Sequence, residues 1–211
     1  GGPGQDASIF SRGSNSNQLL ILIDGVRVGS ATLGIKSVAN ISIATIERIE
    51  IVKGPRAALW GSDAIGGVIQ IFTRHYQSGE HRVALTLGSN ADQEVDAAIG
   101  FGSDKFSNTL TYSHKQTDGF DAHIDSETDD DGYENDSLAI RGNYKLNETA
   151  TLDWLAQTDK GESEFDTFFG GNILEYNNYL WNIRYSHQNN NWNNQLSASS
   201  SRDQNFTLGN G

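Results

Sequence analysis

Residues 46–74 read IERIEIVKGPRAALWGSDAIGGVIQIFTR, and this stretch decides the fold of the first part of the chain. Its beginning, Ile49 to Lys53, is rich in β-branched residues and predicts a short strand. Pro55 ends that strand and suits the first turn of a short helix over residues 56–60, because proline has no N–H to leave unpaired there. A glycine pair then permits a tight reversal into a second strand over residues 68–72. The stretch therefore predicts a compact, sharply reversed α+β unit.

An apolar run upstream predicts a β-hairpin in the same unit. Leu19 to Ile23 reads as a strand, Asp24-Gly25 is typical of a tight hairpin turn, and residues 26–28 form the return strand. The run is far shorter than the roughly 20 apolar residues that a transmembrane helix needs. We therefore expect strands, not a membrane-spanning helix, in this part of the chain.

Both stretches resemble one known family. The order I-E-R-I-E-I-V-K-G-P-R-A-A-L-W-G-S-D-A-I-G-G-V-I-Q-I is similar to the end of the plug domain of TonB-dependent outer-membrane receptors, and L-I-D-G-V-R, residues 22–27, resembles the inner hairpin of that plug. The resemblance implies a plug domain over residues 1–75 and a location in the outer membrane of a Gram-negative bacterium. It also implies active transport energised by the partner protein TonB, whose contact segment would precede residue 1. The chain has no Met and starts abruptly with GGPGQ, so we expect a piece of a longer protein.

Residues 81–211 show a different pattern, in which side chains on opposite faces alternate in polarity. Trp181 and Ile183 share one face, for example, while Asn182 and Arg184 lie on the other. This two-residue alternation predicts seven antiparallel strands with one face towards lipid and the other towards a water-filled interior. A soluble β-sandwich would show the same alternation, but the plug-like sequence in front of it favours a barrel. We therefore expect a mainly β fold: a small α+β plug followed by the first antiparallel transmembrane strands of an incomplete β-barrel, in contact with outer-membrane lipid.

The lengths of the connections agree with this interpretation. Those after the second, fourth and sixth strands are short, at residues 102–105, 147–149 and 188–191. Those after the third and fifth strands are long, at residues 115–136 and 159–178. Outer-membrane barrels have short periplasmic turns and long external loops. Both long connections are therefore expected on the outer face.

Composition excludes several classes of function. The 211 residues carry a formal charge of −12, which argues against a nucleic-acid partner because phosphates would be repelled. The absence of Cys excludes disulfides and thiolate chemistry. The five His residues are scattered without metal-ligand spacing or a paired nucleophile, so we do not expect an enzyme.

The two long loops are strongly acidic and hold about half of the 27 Asp and Glu residues. Crowded carboxylates repel each other, and a hard cation with oxygen ligands relieves the repulsion. Glu127, Asp129 and Asp131, followed by Gly132, have the opening spacing of an EF-hand. Its twelfth position is Leu138, so the bidentate acid is missing and a true EF-hand is excluded. A solvated acidic loop without a metal is the alternative.

Within the receptor family, this arrangement is most similar to the cobalamin (vitamin B12) receptors, whose substrate-facing loops are ordered by calcium. The resemblance implies calcium as cofactor, bound through these residues: Asp121, Glu127, Asp129, Asp131, Phe165 through its carbonyl, Asp166 and Glu175. It implies cobalamin contacts from plug loops at Asp6, Ser8, Asn15, Leu33 and Gly34. Four positions depart from the family pattern: Asp6 replaces an apolar residue, Glu127 a Gln, Phe165 a Tyr, and Glu175 a final Asp in a loop shorter than the family's.

Two rival functions fit parts of the pattern. A ferric-siderophore or haem receptor of the same architecture would have cationic or aromatic external loops, because ferric siderophores are often anionic. A calcium-dependent extracellular β-domain without a transport role would have no use for the plug hairpin. The acidic loops and the plug-like sequence favour the cobalamin receptor over both.

Overall fold

The computed structural model describes residues 4, 9, 18–28, 40–54, 64–121, 130–167 and 170–209, which form two β-sheets. The first sheet has four strands in the order β2-β1-β4-β3. Their bounds are β1 (Leu19–Ile23), β2 (Val26–Arg27), β3 (Ile46–Lys53) and β4 (Gly67–Thr73). A 3₁₀ turn at Ile43–Thr45 leads into β3. Within these residues, no helix is long and apolar enough to span a membrane.

The predicted hairpin and the strand over residues 68–72 are confirmed, and β3 begins three residues earlier than predicted. The predicted helix over residues 56–60 lies outside the described residues. Strand β1 pairs in parallel with β4, and every residue of β1 is at most 4% exposed. A strand buried on both faces explains the unbroken apolar run, since neither face has to meet water.

The second sheet contains seven antiparallel strands that follow one another in sequence order, as predicted. Their bounds are β5 (His81–Leu87), β6 (Gln93–Gly102), β7 (Phe106–Thr117), β8 (Tyr133–Lys145), β9 (Ala150–Thr167), β10 (Gly170–Asn189) and β11 (Trp192–Gly209). The sheet is not closed: among the described residues, β5 and β11 are its two unpaired edges. The protein is therefore mainly β, with an incomplete barrel wall next to the four-stranded sheet.

The two faces of the large sheet have opposite character. Its outward face carries large apolar side chains open to the surroundings, including Val83 (76% exposed), Leu85 (66%) and Leu196 (74%). The inward face carries buried polar side chains such as Ser137 and Asn182. A water-soluble sheet would have polar side chains on its exposed face and apolar side chains on its buried face. A barrel wall in lipid requires apolar side chains on the outside instead.

The inward face packs against the four-stranded sheet. Leu155 of β9 and Leu180 of β10 belong to the same buried apolar cluster as Ile21, Ile69 and Ile71. Hydrophobic burial therefore joins the two sheets.

The prediction of a long loop over residues 159–178 is wrong. Strands β9 and β10 pair without interruption from Asp159 opposite Asn178 up to Thr167 opposite Gly170. The segment contains no proline, but its many Asp, Glu, Asn and Gly residues interrupt the apolar alternation, so that the sequence resembles a loop. The connection between β7 and β8 is long, as predicted, and the short turns after β6, β8 and β10 are confirmed.

Candidate functional site

Gly4 lies against the inner wall of the large sheet. Gly4 has φ +78°, and a Cβ at this position would lie 2.4 Å from the ring of Tyr133 at the start of β8. Only a glycine permits this close approach of the backbone to the wall. Gly4 is therefore in close contact with the start of β8.

The turn at Asn40, which precedes β3, meets the wall at the same place. The Tyr133 hydroxyl donates to Asn40 Oδ1 at 3.5 Å, and Asn135 Nδ2 donates to the Asn40 carbonyl oxygen at 3.5 Å. A cavity of about 120 Å³ separates residues 40–43 from the inner side chains Ser113 and Lys115 of β7. The contact is thus polar and incompletely filled, which suits a surface where a polar ligand or water enters.

The two ends of the long β7–β8 loop are hydrogen-bonded to each other next to this contact. The Asp121 amide donates to Asp130 Oδ1 at 3.2 Å, and the Asp131 amide donates to the Phe120 carbonyl oxygen at 3.4 Å. Asp131 is only 5% exposed. Burial raises the free energy of an ionised carboxylate unless a partner or a cation compensates.

Strand β9 runs directly beside this loop end. The Gly132 amide donates to Glu164 Oε2 at 2.9 Å, and the Glu164 amide donates to the Gly132 carbonyl oxygen at 2.9 Å. Phe165 and Asp166 therefore continue alongside Asp131. Asp166 Oδ2 is buried and has no hydrogen-bond partner within the described part of the chain. An orphaned, buried carboxylate oxygen beside other acids fits a cation with oxygen ligands.

Glu175 lies apart from these residues. It is exposed on β10 opposite Glu162, whereas Asp166 is opposite Gly171. Four residues of strand separate Gly171 from Glu175, which corresponds to about 13 Å. The structure thus brings Asp121, Asp131, Phe165 and Asp166 to one end of the sheet, but it does not bring Glu175 there.

The remaining predicted site residues lie outside the described residues. They are Asp6, Ser8, Asn15, Leu33, Gly34, Glu127 and Asp129.

A cavity of about 400 Å³ beside the loop end collects further acids that the sequence did not single out as ligands. Its acidic lining residues are Asp118, Asp130, Glu134, Glu162 and Glu164. Sequence counting placed all five in the acidic segments, but only the pairing of β8 with β9 shows that they surround one space. The negative charges repel each other, so the cavity attracts cations.

One compact group of potential metal ligands occurs among the described residues. It consists of His114, Glu134 and Asp136, whose ligand atoms lie within 4.8 Å of one another. Those predicted calcium residues that the structure describes do not form such a group by themselves. The sequence did not single out His114 as a potential ligand, because the two acids of the group, Glu134 and Asp136, lie on the neighbouring strand β8.

Comparisons with known proteins agree with this architecture. Residues 1–68 match the family model described as TonB-dependent Receptor Plug Domain. A curated relative, the vitamin B12 transporter BtuB of Photobacterium profundum, is 34% identical over 212 residues, which cover 97% of the chain and 35% of the relative. The chain thus spans about a third of that relative's length.

Solved structures show the same fold. The FrpB iron transporter from Neisseria meningitidis (F5-1 variant) superposes with a TM-score of 0.80 at 13% identity, over 98% of this chain and 36% of that one. The siderophore receptor PiuA from Acinetobacter baumannii superposes with a TM-score of 0.75 at 14% identity, over 98% of this chain and 32% of that one. At this identity the likeness concerns the fold alone.

The plug match, the curated relative and the open barrel wall with its apolar outside point to the same family. The chain therefore belongs to the TonB-dependent receptors, which are outer-membrane proteins of Gram-negative bacteria and not enzymes.

Proposed function

We propose that the protein takes up cobalamin across the outer membrane in a process energised by TonB, with calcium ordering its external loops. The observation that carries the proposal is the 34% identity to a vitamin B12 transporter over 97% of the chain. In this proposal the plug domain spans residues 1–75, and the barrel begins at residue 81. Cobalamin binds between plug loops and the acidic end of the wall, through Asp6, Ser8, Asn15, Leu33 and Gly34.

Calcium fits the acidic end of β7–β9 by its preference for carboxylate and carbonyl oxygens. Asp121, Asp131, the Phe165 carbonyl and Asp166 are the described residues that would hold it. Glu127 and Asp129 belong to the ligand set by resemblance alone. Glu175, which the same resemblance implies, lies too far along β10 to join Asp166 in this structure. When bound, calcium neutralises the repelling carboxylates and fixes the loop ends. A loop that is already ordered loses less conformational entropy when the ligand arrives.

Transport requires the plug to change its contacts with the wall, and these contacts can be named. Arg141 donates to the Thr73 carbonyl oxygen, Arg184 Nη2 donates to the Asp24 carbonyl oxygen at 2.9 Å, and Ser201 Oγ donates to the Arg27 carbonyl oxygen at 2.9 Å. All three connect barrel strands to the ends of plug strands. A pulling force from TonB would have to break them.

A ferric-siderophore receptor is the second candidate, because solved structures of the same fold include a siderophore receptor. The acid-lined cavity opposes it, since an anionic ferric siderophore would be repelled there. A calcium-dependent domain without a transport role is opposed by the apolar outward face, which water would not tolerate.

An uptake assay tests the proposal. The native-length protein is expressed in a Gram-negative strain that lacks its own cobalamin receptor, with and without TonB, and the accumulation of labelled cyanocobalamin is measured. We expect uptake that depends on both the protein and TonB. Uptake of a ferric siderophore without uptake of cobalamin would contradict the proposal.

A further inference from the structure

His114, Glu134 and Asp136 lie together on the outward face of β7 and β8. His114 is directly opposite Asp136 in the antiparallel pairing, and Glu134 is two residues from Asp136, so all three side chains are on the same face. The next pair along this face, Tyr112 and Leu138, is exposed and belongs to the apolar outside of the wall. The group therefore lies at the border between the apolar band and the acidic outer end.

The distances within the group match metal coordination. His114 Nδ1 is 3.1 Å from Asp136 Oδ1, and one ligand atom from each of the three residues lies within 4.8 Å of the others. Two ligands of a tetrahedral zinc ion, each at about 2.0–2.1 Å from the metal, are separated by about 3.3 Å. Both strands are held by continuous backbone pairing, so little rearrangement is needed to bring the ligands around an ion.

Both ring nitrogens of His114 lie close to side-chain oxygens. Nδ1 of His114 faces Asp136 Oδ1, and Nε2 faces Gln116 Oε1 at 3.4 Å. Asp136 Oδ1 also accepts a hydrogen bond from the Tyr112 hydroxyl at 2.7 Å. The imidazole and the Asp136 carboxylate are therefore held side by side, in an orientation from which both can bind one ion.

Glu134 supplies the third potential ligand. Its carboxylate is exposed and lies within reach of the His114–Asp136 pair. A metal ion at this place would bind all three side chains. Lys160, opposite Asp136 on β9, weakens cation binding, and Glu162, opposite Glu134, strengthens it.

We propose that His114, Glu134 and Asp136 bind a borderline first-row divalent metal ion such as Zn²⁺, with water completing the coordination. Imidazole combined with carboxylates suits zinc and copper, whereas calcium takes six to eight oxygen ligands. The site is separate from the proposed calcium residues and does not depend on the nature of the transported substrate.

Zinc titration tests the site. The native-length protein is purified in detergent, stripped of metal with a chelator and desalted, and Zn²⁺ binding is measured by calorimetry in millimolar calcium, which occupies oxygen-only sites. We expect His114→Gln to weaken zinc binding by more than about tenfold, because losing even a residue that only orients a ligand reduces metal affinity by about 10–100-fold. His187→Gln is the matched control, since His187 lies on β10 between Ala150 and Asn194 and has no acid in its cross-strand pairs.

A second measurement identifies the ligands directly. Co²⁺ replaces Zn²⁺, and its visible absorption reports low-coordinate binding by nitrogen and oxygen. We expect the absorption in the wild type and in His187→Gln, and its loss in both His114→Gln and the double variant Glu134→Gln, Asp136→Asn. Heat-modifiable migration in gels verifies that each variant is folded. Equal zinc affinity in the wild type and folded His114→Gln would overturn the site, as would an equal loss in His187→Gln.

Discussion

Arg141, on the inner face of β8, donates hydrogen bonds to Thr73, the last residue of β4. The guanidinium reaches both the carbonyl oxygen and the hydroxyl of Thr73, the latter at 3.0 Å. The same hydroxyl donates to the carboxylate of Asp24, whose Oδ2 is 4.0 Å from Arg141 Nη1. One barrel arginine thus holds both the end of β4 and the turn between β1 and β2.

We expect Arg141→Gln to loosen the end of β4. Hydrogen bonds to charged groups contribute about 1.5–3 kcal/mol, so local opening should become easier by a similar amount. Hydrogen exchange of the amides at residues 67–73 measures this effect. Arg82→Gln, a change of an exposed arginine on β5, is the control. Equal exchange in both variants would show that Arg141 does not hold the plug.

We expect Gly67→Ala to destabilise the first sheet. Gly67 has φ +139°, and a Cβ there would lie 2.5 Å from the Val52 carbonyl oxygen. Strained backbone of this kind costs about 1–3 kcal/mol, and the backbone clash adds to it. Gly54→Ala is the comparison, since Gly54 also has positive φ, at +91°, but a Cβ there meets nothing within 4 Å. Thermal unfolding should rank Gly67→Ala below Gly54→Ala, and the opposite order would contradict the geometry.

His75, which joins the two sheets, should make stability depend on pH. Burial lowers the pKa of His75 below its ordinary value of 6.5, and the charge of Arg141 lowers it further, while Glu47 and Glu80 oppose the shift. His75 therefore binds a proton more readily in the unfolded chain than in the folded one. The free energy of unfolding falls as pH decreases below about 6.5 towards the folded-state pKa of His75.

His75→Gln should flatten this part of the pH profile of unfolding by denaturant. The amide keeps a polar contact with Ser107 and Thr109, which both lie within hydrogen-bond distance of the ring nitrogens. His81→Gln, in the exposed start of β5, is the control. An unchanged slope in His75→Gln would show that another group titrates.

Much of the fold could be predicted from local sequence signals. The unbroken apolar run of β1, the Asp24-Gly25 turn and the alternation around Trp181 each depend on a few adjacent residues. Residues 159–167 of β9 and 170–178 of β10 were not predicted as strands because Asp, Glu, Asn and Gly interrupt the apolar alternation there. Where neither face meets lipid or an apolar core, hydrophobic periodicity carries no strand signal.

The candidate site was less predictable, because cross-strand register decides which acids meet. The sequence indicated that two acidic segments lie side by side, and the bonds between Gly132 and Glu164 agree with this. It did not indicate that His114 lies opposite Asp136, nor that Glu175 lies opposite Glu162. A shift of one residue in either pairing would reverse the faces.

Calcium should stabilise the wild type and not a variant that lacks the proposed ligands. A ligand that binds only the folded state raises its stability by mass action. We expect added calcium to raise the melting temperature of the wild type, and Asp131→Asn combined with Asp166→Asn to abolish the shift. Asp104→Asn, in the short turn between β6 and β7, is the control. If the acids form only a solvated loop, the double variant should instead be slightly more stable at every calcium concentration.

The proposed function is tested by an equilibrium titration of the purified native-length protein with cyanocobalamin, performed in calcium and in a calcium chelator. We expect saturable cobalamin binding in calcium, weaker binding in chelator and no comparable binding of a ferric siderophore. Saturable binding of a ferric siderophore, with no cobalamin binding in calcium, would contradict it.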